Sequence, residues 1–298
     1  MEREAADSKG GTAASPTAGA DSAIRASELA VSFASRGGRT VLERKYHTAP
    51  LKIAKAFPLD RQLGVIVMDV SPGLLEGDHY DLAWTFGRGA HAMMTNQSYT
   101  KVHPCLPGGG ASMRQTFELA DNAVAEHMPE PVMLYRHARF RGETQVRLGA
   151  GAVWMQADVL CPGRTPRGER FDYRSFRNEL AVRYGEELIF MQRQRIEPPE
   201  QTLGAPGCWE DMTHWGSFYL FSDRVRAGHL ERLQACIERF DSPAAHPVIA
   251  GASLTHRFGV AVSAASTAAW PLQKLMGELW REARASVLEL PPLRLLQG

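Results

Sequence analysis

From about Ser27 onward, apolar and polar residues alternate in short runs punctuated by glycine, the period of half-buried strands. Leu29-Ala30-Val31-Ser32-Phe33 and Thr40-Val41-Leu42 flank Arg36-Gly37-Gly38-Arg39, which is a hairpin signal. Tyr80, Leu82, Trp84 and Phe86 alternate with Asp81, Ala83 and Thr85, and Gly87-Arg88-Gly89 then turns the chain into Ala90-His91-Ala92-Met93-Met94. The same form returns three times. Met113, Gln115, Phe117 and Leu119 precede Asp121-Asn122. Thr144, Val146 and Leu148 precede Gly149-Ala150-Gly151 and then Val153, Met155, Ala157 and Val159. Leu180 and Val182 precede Tyr184-Gly185-Glu186-Glu187, followed by Leu188, Phe190 and Gln192. Turn signals at roughly 10-residue spacing predict a mainly β, layered body rather than βαβ units. No exact repeat of solenoid length occurs, but a strand–glycine–strand unit is one that can stack helically.

The period changes late in the chain. Leu230, Leu233, Ile237 and Phe240 form one apolar stripe, which predicts a helix over residues 227–240. Leu272, Leu275, Met276, Leu279, Ala283 and Val287 form a second, with Pro271 suited to its first turn and Pro291-Pro292 ending it. Such helices either cap the open face of a sheet or offer a docking surface. Residues 1–24 are almost all Ala, Gly, Ser, Thr and charge, so a disordered tail is expected before a single β-rich domain over residues 25–298.

Composition narrows the function classes. Of 298 residues, 44% are hydrophobic and 22% charged, enough apolar material for a sizeable core. A formal net charge of +1 gives no reason to expect nucleic acid or an anionic membrane as partner. The N-terminus lacks the apolar core of a signal peptide, and no run approaches a membrane span. Cys105, Cys161, Cys208 and Cys236 form no Cys-x-x-Cys pair, which points to reduced thiols and a cytoplasmic location.

Familiar catalytic chemistry is missing. There is no His-Glu-x-x-His, no Gly-x-Ser-x-Gly and no Walker A or dinucleotide-binding glycine pattern; Pro107-Gly108-Gly109-Gly110 has no lysine after it. His103-Pro104-Cys105 pairs an imidazole with a thiol on a stiff backbone and is read as a loop. What remains is a set of polar residues at strand edges. Asp78 follows Gly77 at the start of an apolar strand. Asp158 interrupts an apolar run, and alternation sets it on one face with Trp154 and Gln156. Glu126 lies in Ala123-Val124-Ala125-Glu126-His127-Met128. A carboxylate in such a run must be paired, hydrogen-bonded or lining water. Pairing with an arginine (Arg139, Arg141, Arg164 and Arg167 are available) and a row of oxygen ligands along a wet passage are the two alternatives.

Several segments in order give a family resemblance. Arg36-Gly37-Gly38-Arg39-Thr40-Val41-Leu42, Ala49-Pro50-Leu51-Lys52, Ser71-Pro72-Gly73 with Gly77-Asp78, and Gly89-Ala90-His91 come first. Thr95-Asn96-Gln97-Ser98-Tyr99-Thr100-Lys101, Glu126-His127-Met128-Pro129 and Gly163-Arg164 with Gly168-Glu169-Arg170-Phe171 follow, then Thr213-His214-Trp215-Gly216-Ser217 and Ala250-Gly251-Ala252-Ser253-Leu254. Together they resemble the urease accessory proteins called UreD or UreH. That resemblance implies a helically wound or layered sheet with two helices packed on it, and a protein that is not an enzyme. It implies UreF as partner, UreG through UreF, and apo-urease as the client. It also implies transient Ni²⁺ and no tightly bound cofactor, with Asp78, Thr100, Lys101 and Asp158 on an internal water-filled path and Asp78 and Asp158 as weak, transient metal contacts. Two readings stand against it. One is an all-β metal-dependent hydrolase, which needs three convergent ligands; the other is a bridging module that never touches metal.

Overall fold

A computed structural model describes residues 25–293; the expected tail, residues 1–24, lies outside the described residues. In chain order the strands of the first half are β1 (Arg25–Arg36), β2 (Arg39–His47), β3 (Leu51–Leu59), β4 (Gln62–Asp69), β5 (Asp78–Phe86), β6 (His91–Asn96), β7 (Thr100–Val102), β8 (Ala111–Leu119), β9 (Val124–His127) and β10 (Val132–Leu134). Those of the second half are β11 (Arg139–Leu148), β12 (Val153–Cys161), β13 (Ser175–Tyr184), β14 (Glu187–Ile196), β15 (His214–Phe221), β16 (Val248–Leu254) and β17 (Gly259–Ser266). Helix α1 (Ala227–Arg239) separates β15 from β16, and α2 (Ala269–Ala283) follows β17. The predicted mainly β class with two helices in the C-terminal third is what the chain adopts.

Two sheets divide the strands. A seven-stranded sheet has the order β14-β13-β11-β8-β5-β1-β2, and a ten-stranded sheet has β16-β17-β15-β12-β9-β6-β4-β3, with β7 and β10 attached beside β12. The middle of each sheet is parallel, β1 to β5 to β8 to β11 to β13 in one and β4 to β6 to β9 to β12 in the other. Parallel neighbours need a crossover, and here each crossover runs through the opposite sheet. The chain therefore winds, one strand of each sheet per turn, as the recurring strand–glycine–strand unit allows. Three of the four glycine or Asp-Asn turns read from the sequence make such passages, at residues 87–90, 120–123 and 149–152. The fourth, Tyr184-Gly185-Glu186-Glu187, closes an ordinary antiparallel hairpin between β13 and β14. The hairpin expected at Gly37-Gly38 joins β1 to β2.

Winding gives the molecule two unlike ends. At the glycine-turn end the loops stack tightly: Gly89 N donates to Asp121 O at 3.1 Å and Asn122 N to Ala150 O at 2.8 Å. The seam between the sheets there is closed by a row of aromatic rings, Phe33, Trp84, Phe117, Trp154 and Phe221, with successive centroids 5.9–6.4 Å apart. At the opposite end three connections are longer, over residues 70–77, 103–110 and 162–174, beside a four-residue one at 135–138, and they too stack. Leu74 N donates to Lys101 O at 2.8 Å, Tyr135 N to Val102 O at 3.0 Å, and His137 N to Asp172 O at 2.9 Å.

The helices lie on the outer face of the ten-stranded sheet. Leu272, Leu275, Met276 and Leu279 of α2 join Val153, Met155, Val159, Phe218 and Val262 in one buried cluster, so β12 is covered on both faces. Each fully buried large apolar side chain contributes about 1.5–3 kcal/mol. Helix α2 ends in a single π-turn over Arg284–Leu288, with Glu289 in the left-handed region before Pro291.

Candidate functional site

The two stretches singled out around Ser71 and Thr100 meet at the long-loop end. Asp69, the last residue of β4, accepts from Ser71 N at 2.9 Å and from Ser71 Oγ at 2.6 Å, which holds the Ser71-Pro72-Gly73 turn. That turn lies against the 100–103 segment: Leu74 bridges Val102, and His103 N donates to Leu74 O at 2.9 Å. Gly73 is required there. Its φ is +131°, and a Cβ would sit 2.5 Å from the carbonyl oxygen of Lys101.

Behind this junction a cavity of about 110 Å³ opens between the sheets. Gln97 and Ser98 are exposed at its rim, while Trp84, His127 and Asp158 lie at its inner end. Thr100 and Lys101 line it, and so do Asp69, Ser71, Tyr80 and Glu130. Most of these polar groups are already engaged. Tyr80 OH donates to Asp69 Oδ2 at 3.0 Å, and burial pushes the phenol pKa well up. Gln273 of α2 donates to Glu130 at 3.0 Å and accepts from Tyr99 OH at 3.1 Å; burial raises the Glu130 carboxyl, an effect this bond opposes. Lys101 forms no ion pair among the described residues. The indole N–H of Trp84 is buried without a protein acceptor, a donor that water or the hydration shell of an ion can satisfy.

Asp158 has the most unusual environment. Its neighbours on β12 face the helix cluster, but Asp158 faces the seam, as alternation with Trp154 and Gln156 predicted. Its protein donor is the amide of Gln156, whose Nε2 lies 3.0 Å and 2.8 Å from the two carboxylate oxygens. Burial pushes its pKa up to about 6, against the lowering effect of that amide. The surface it keeps open faces the cavity rather than bulk solvent. Gln156 Oε1 lies 2.8 Å from His127 Nδ1, and burial drives that imidazole down to about 4, so it is neutral at physiological pH. A second cavity of about 70 Å³ adjoins the first and shares Gln115, Val132 and Asp158 with it. Thr144, Asn178, Gln194 and Ser217 add further polar lining, and Trp215 borders both this cavity and a groove of about 570 Å³ beneath the 201–212 loop.

Thr100, Lys101 and Asp158 are thus brought together, and Asp78 is not among the lining residues. Asp78 instead accepts from Leu75 N at 2.7 Å, closing the turn that starts β5. Glu126 takes the arginine alternative, with Arg284 rather than any arginine proposed for it. It also accepts from His91 Nε2 and Trp280 Nε1, each at 2.5 Å. Burial alone would raise the Glu126 carboxyl, but His91 and Arg284 outweigh it and hold it below the usual range. The Gly163-Arg164…Gly168-Glu169 segment is a closed loop: Arg164 forks onto the buried carboxylate of Glu169, which this bond holds low, and stacks 4.1 Å over the Tyr135 ring. Cys105, Cys161 and Cys236 are buried and Cys208 is exposed, all four as free thiols; burial pushes Cys161 up to about 12. Among the described residues no three His, Cys, Asp or Glu side chains converge as a metal-holding group. No helix among them is long and apolar enough to cross a membrane.

Fold and seam together define a class: a mainly β protein wound as two sheets around an interior that is aromatic at one end and polar and hollow at the other. The chain belongs to the UreD urease accessory protein family, whose pattern matches residues 25–296. It is 31% identical over 227 residues to the urease accessory protein UreD of Acetivibrio thermocellus, covering 76% of this chain and 84% of that protein. To UreD of Haloarcula marismortui it is 28% identical over 284 residues, 94% of this chain and 93% of the relative. To the urease accessory protein UreH of Helicobacter hepaticus it is 25% identical over 195 residues, 65% of this chain and 77% of the relative.

Proposed function

We propose that this chain serves urease maturation as a non-catalytic accessory subunit that joins UreF, and through it UreG, to apo-urease and passes Ni²⁺ along the polar seam between its sheets. The observation that carries this is the cavity of about 110 Å³ that Thr100, Lys101 and Asp158 line in common, adjoining a second cavity at Asp158. Its volume has room for several waters, so a cation can enter partly hydrated. Ni²⁺ stands high in the Irving–Williams order, and a cage of several imidazoles or thiolates would retain it. Scattered carboxylates, hydroxyls and amides offer stations that an ion can both enter and leave. Asp158 is the principal station, because its donor supply is one amide and its charge is poorly compensated. Lys101 near the mouth offsets part of the negative charge and opposes capture before the ion reaches the interior. Asp78 is held in its turn and does not line the cavity.

The test is urease activation in a urease-positive host with and without this chain, alongside co-elution of the chain with its cognate UreF. Activation that depends on the chain, together with co-elution, is the expected result. Full activation in its absence, or no association with UreF, contradicts the proposal.

A further inference from the structure

We propose that His127 and Asp158 form a two-donor station for a first-row divalent transition-metal ion, and that Gln156 positions both. The proposal deepens the passage described above and rests on it for the identity of the cargo. Strands β9 and β12 pair in parallel with His127 opposite Gln156, and Asp158 lies two residues further along the same face. Diagonal neighbours on a sheet are roughly 7–8 Å apart at the backbone, within reach of one ion held by an imidazole and a carboxylate.

The hydrogen bonds determine which nitrogen is available. Gln156 is 3% exposed, and the side-chain nitrogen of its amide faces both oxygens of Asp158. An ionised carboxylate only accepts, so the amide must present N–H on that side and its carbonyl on the other. That carbonyl faces His127 Nδ1 at 2.8 Å, so Nδ1 carries the proton and Nε2 keeps its lone pair. Nε2 takes no hydrogen bond among the described residues, although His127 is only 6% exposed and lines the cavity. Metal-binding histidines characteristically donate their second ring N–H to an acceptor that fixes tautomer and orientation, and the Gln156 carbonyl stands in that place. One amide thus aims an imidazole nitrogen and a carboxylate from neighbouring strands at the same cavity. An N,O pair selects Ni²⁺, Co²⁺, Zn²⁺ or Cu²⁺ over Mg²⁺ and Ca²⁺, which favour all-oxygen shells. Two protein donors with water completing the shell bind weakly, as a station on a route must. The other carboxylates lining this cavity hold different partners, Asp69 with Ser71 and Tyr80, and Glu130 with Gln273.

Calorimetric titration of the untagged full-length chain with Ni²⁺ near neutral pH, with Mg²⁺ as control, tests the station. The wild type should bind Ni²⁺ and not Mg²⁺ at a site that His127→Gln and Asp158→Asn each abolish. Gln156→Met, which leaves both donors in place, should weaken it by about 10–100-fold. Nitrogen NMR of the wild-type imidazoles gives a readout that does not depend on the variants folding: His127 should be the Nδ1–H tautomer and its Nε2 signal should be lost on adding Ni²⁺. An Nε2–H tautomer, or unchanged Ni²⁺ affinity in folded His127→Gln or folded Asp158→Asn, overturns the proposal. A His127→Gln chain that binds Ni²⁺ weakly yet loads urease fully supports the station and counts against the passage. Unchanged Ni²⁺ affinity in Asp158→Asn, with impaired loading of urease, overturns the station and leaves the passage standing.

Discussion

Glu126 on β9 and Asp158 on β12 are carboxylates of one sheet, a few residues apart across adjacent strands, and they face opposite ways. Glu126 faces the helices, where Arg284, Trp280 and His91 saturate its oxygens. Asp158 faces the seam, where Gln156 is its amide partner and a cavity lies beside it. Burial raises both carboxyls, but only Glu126 has charged partners enough to reverse the shift. Donor supply, not residue type, separates a carboxylate that fastens the fold from one left with a single amide beside open space.

The contrast breaks most severely at Arg284. Replacing it with methionine leaves Glu126 charged in a dry site, and urea unfolding should show a loss of about 3–5 kcal/mol. Adding Glu126→Gln should recover much of that loss, since removing both charges costs less than orphaning one.

Gly73→Ala tests the junction of the two loops instead. A Cβ 2.5 Å from a backbone oxygen, at φ +131°, should cost about 2–3 kcal/mol by the same measurement. Urease loading should fall beyond what the lower amount of folded protein explains.

Asp158→Asn should behave in the opposite sense to Arg284→Met. The folded pKa of Asp158, about 6, exceeds its ordinary value of 3.8, so its stabilising contribution is complete below the lower value and lost as pH rises through the upper one. Above that window the ionised group opposes folding by at most about 3 kcal/mol. The neutral amide should therefore leave stability unchanged or raise it by up to about 2 kcal/mol near neutral pH, and flatten the pH dependence between about 4 and 6.

At neutral pH the smallest effect is expected at His214, away from both carboxylates. Burial first, then the charges of Arg170 and His246, lower it to about 4 from 6.5. A depressed imidazole costs stability as pH falls through that interval, because the unfolded chain takes up the proton more readily. His214→Gln should recover about 2 kcal/mol near pH 5 and little at neutral pH, read from unfolding curves at the two conditions.

Much of this was legible along the chain. Period-2 alternation located the strands of the wound sheets and set Asp158 with Gln156 on the seam face, because strand geometry is local. The stripes at residues 230–240 and 272–287 located both helices, and the structure places them as caps over the ten-stranded sheet. The Tyr184-Gly185 turn looked like the three crossovers because turn residues report a reversal and not which sheet receives the next strand. Asp69, Tyr80 and His127 went unnoticed as lining residues, since their convergence depends on strand pairing across tens of residues. Arg284 was missed as the partner of Glu126 for a related reason: 158 residues separate them, and an arginine late in a helical stretch reads as solvent-facing.

Nickel per urease active site, measured beside the yield of the accessory complex for wild type and Asp158→Asn, decides whether Asp158 meets the ion in transit. Complex yield should equal that of wild type while nickel content is clearly lower. Normal nickel content with Asp158→Asn, at equal complex yield, would contradict it.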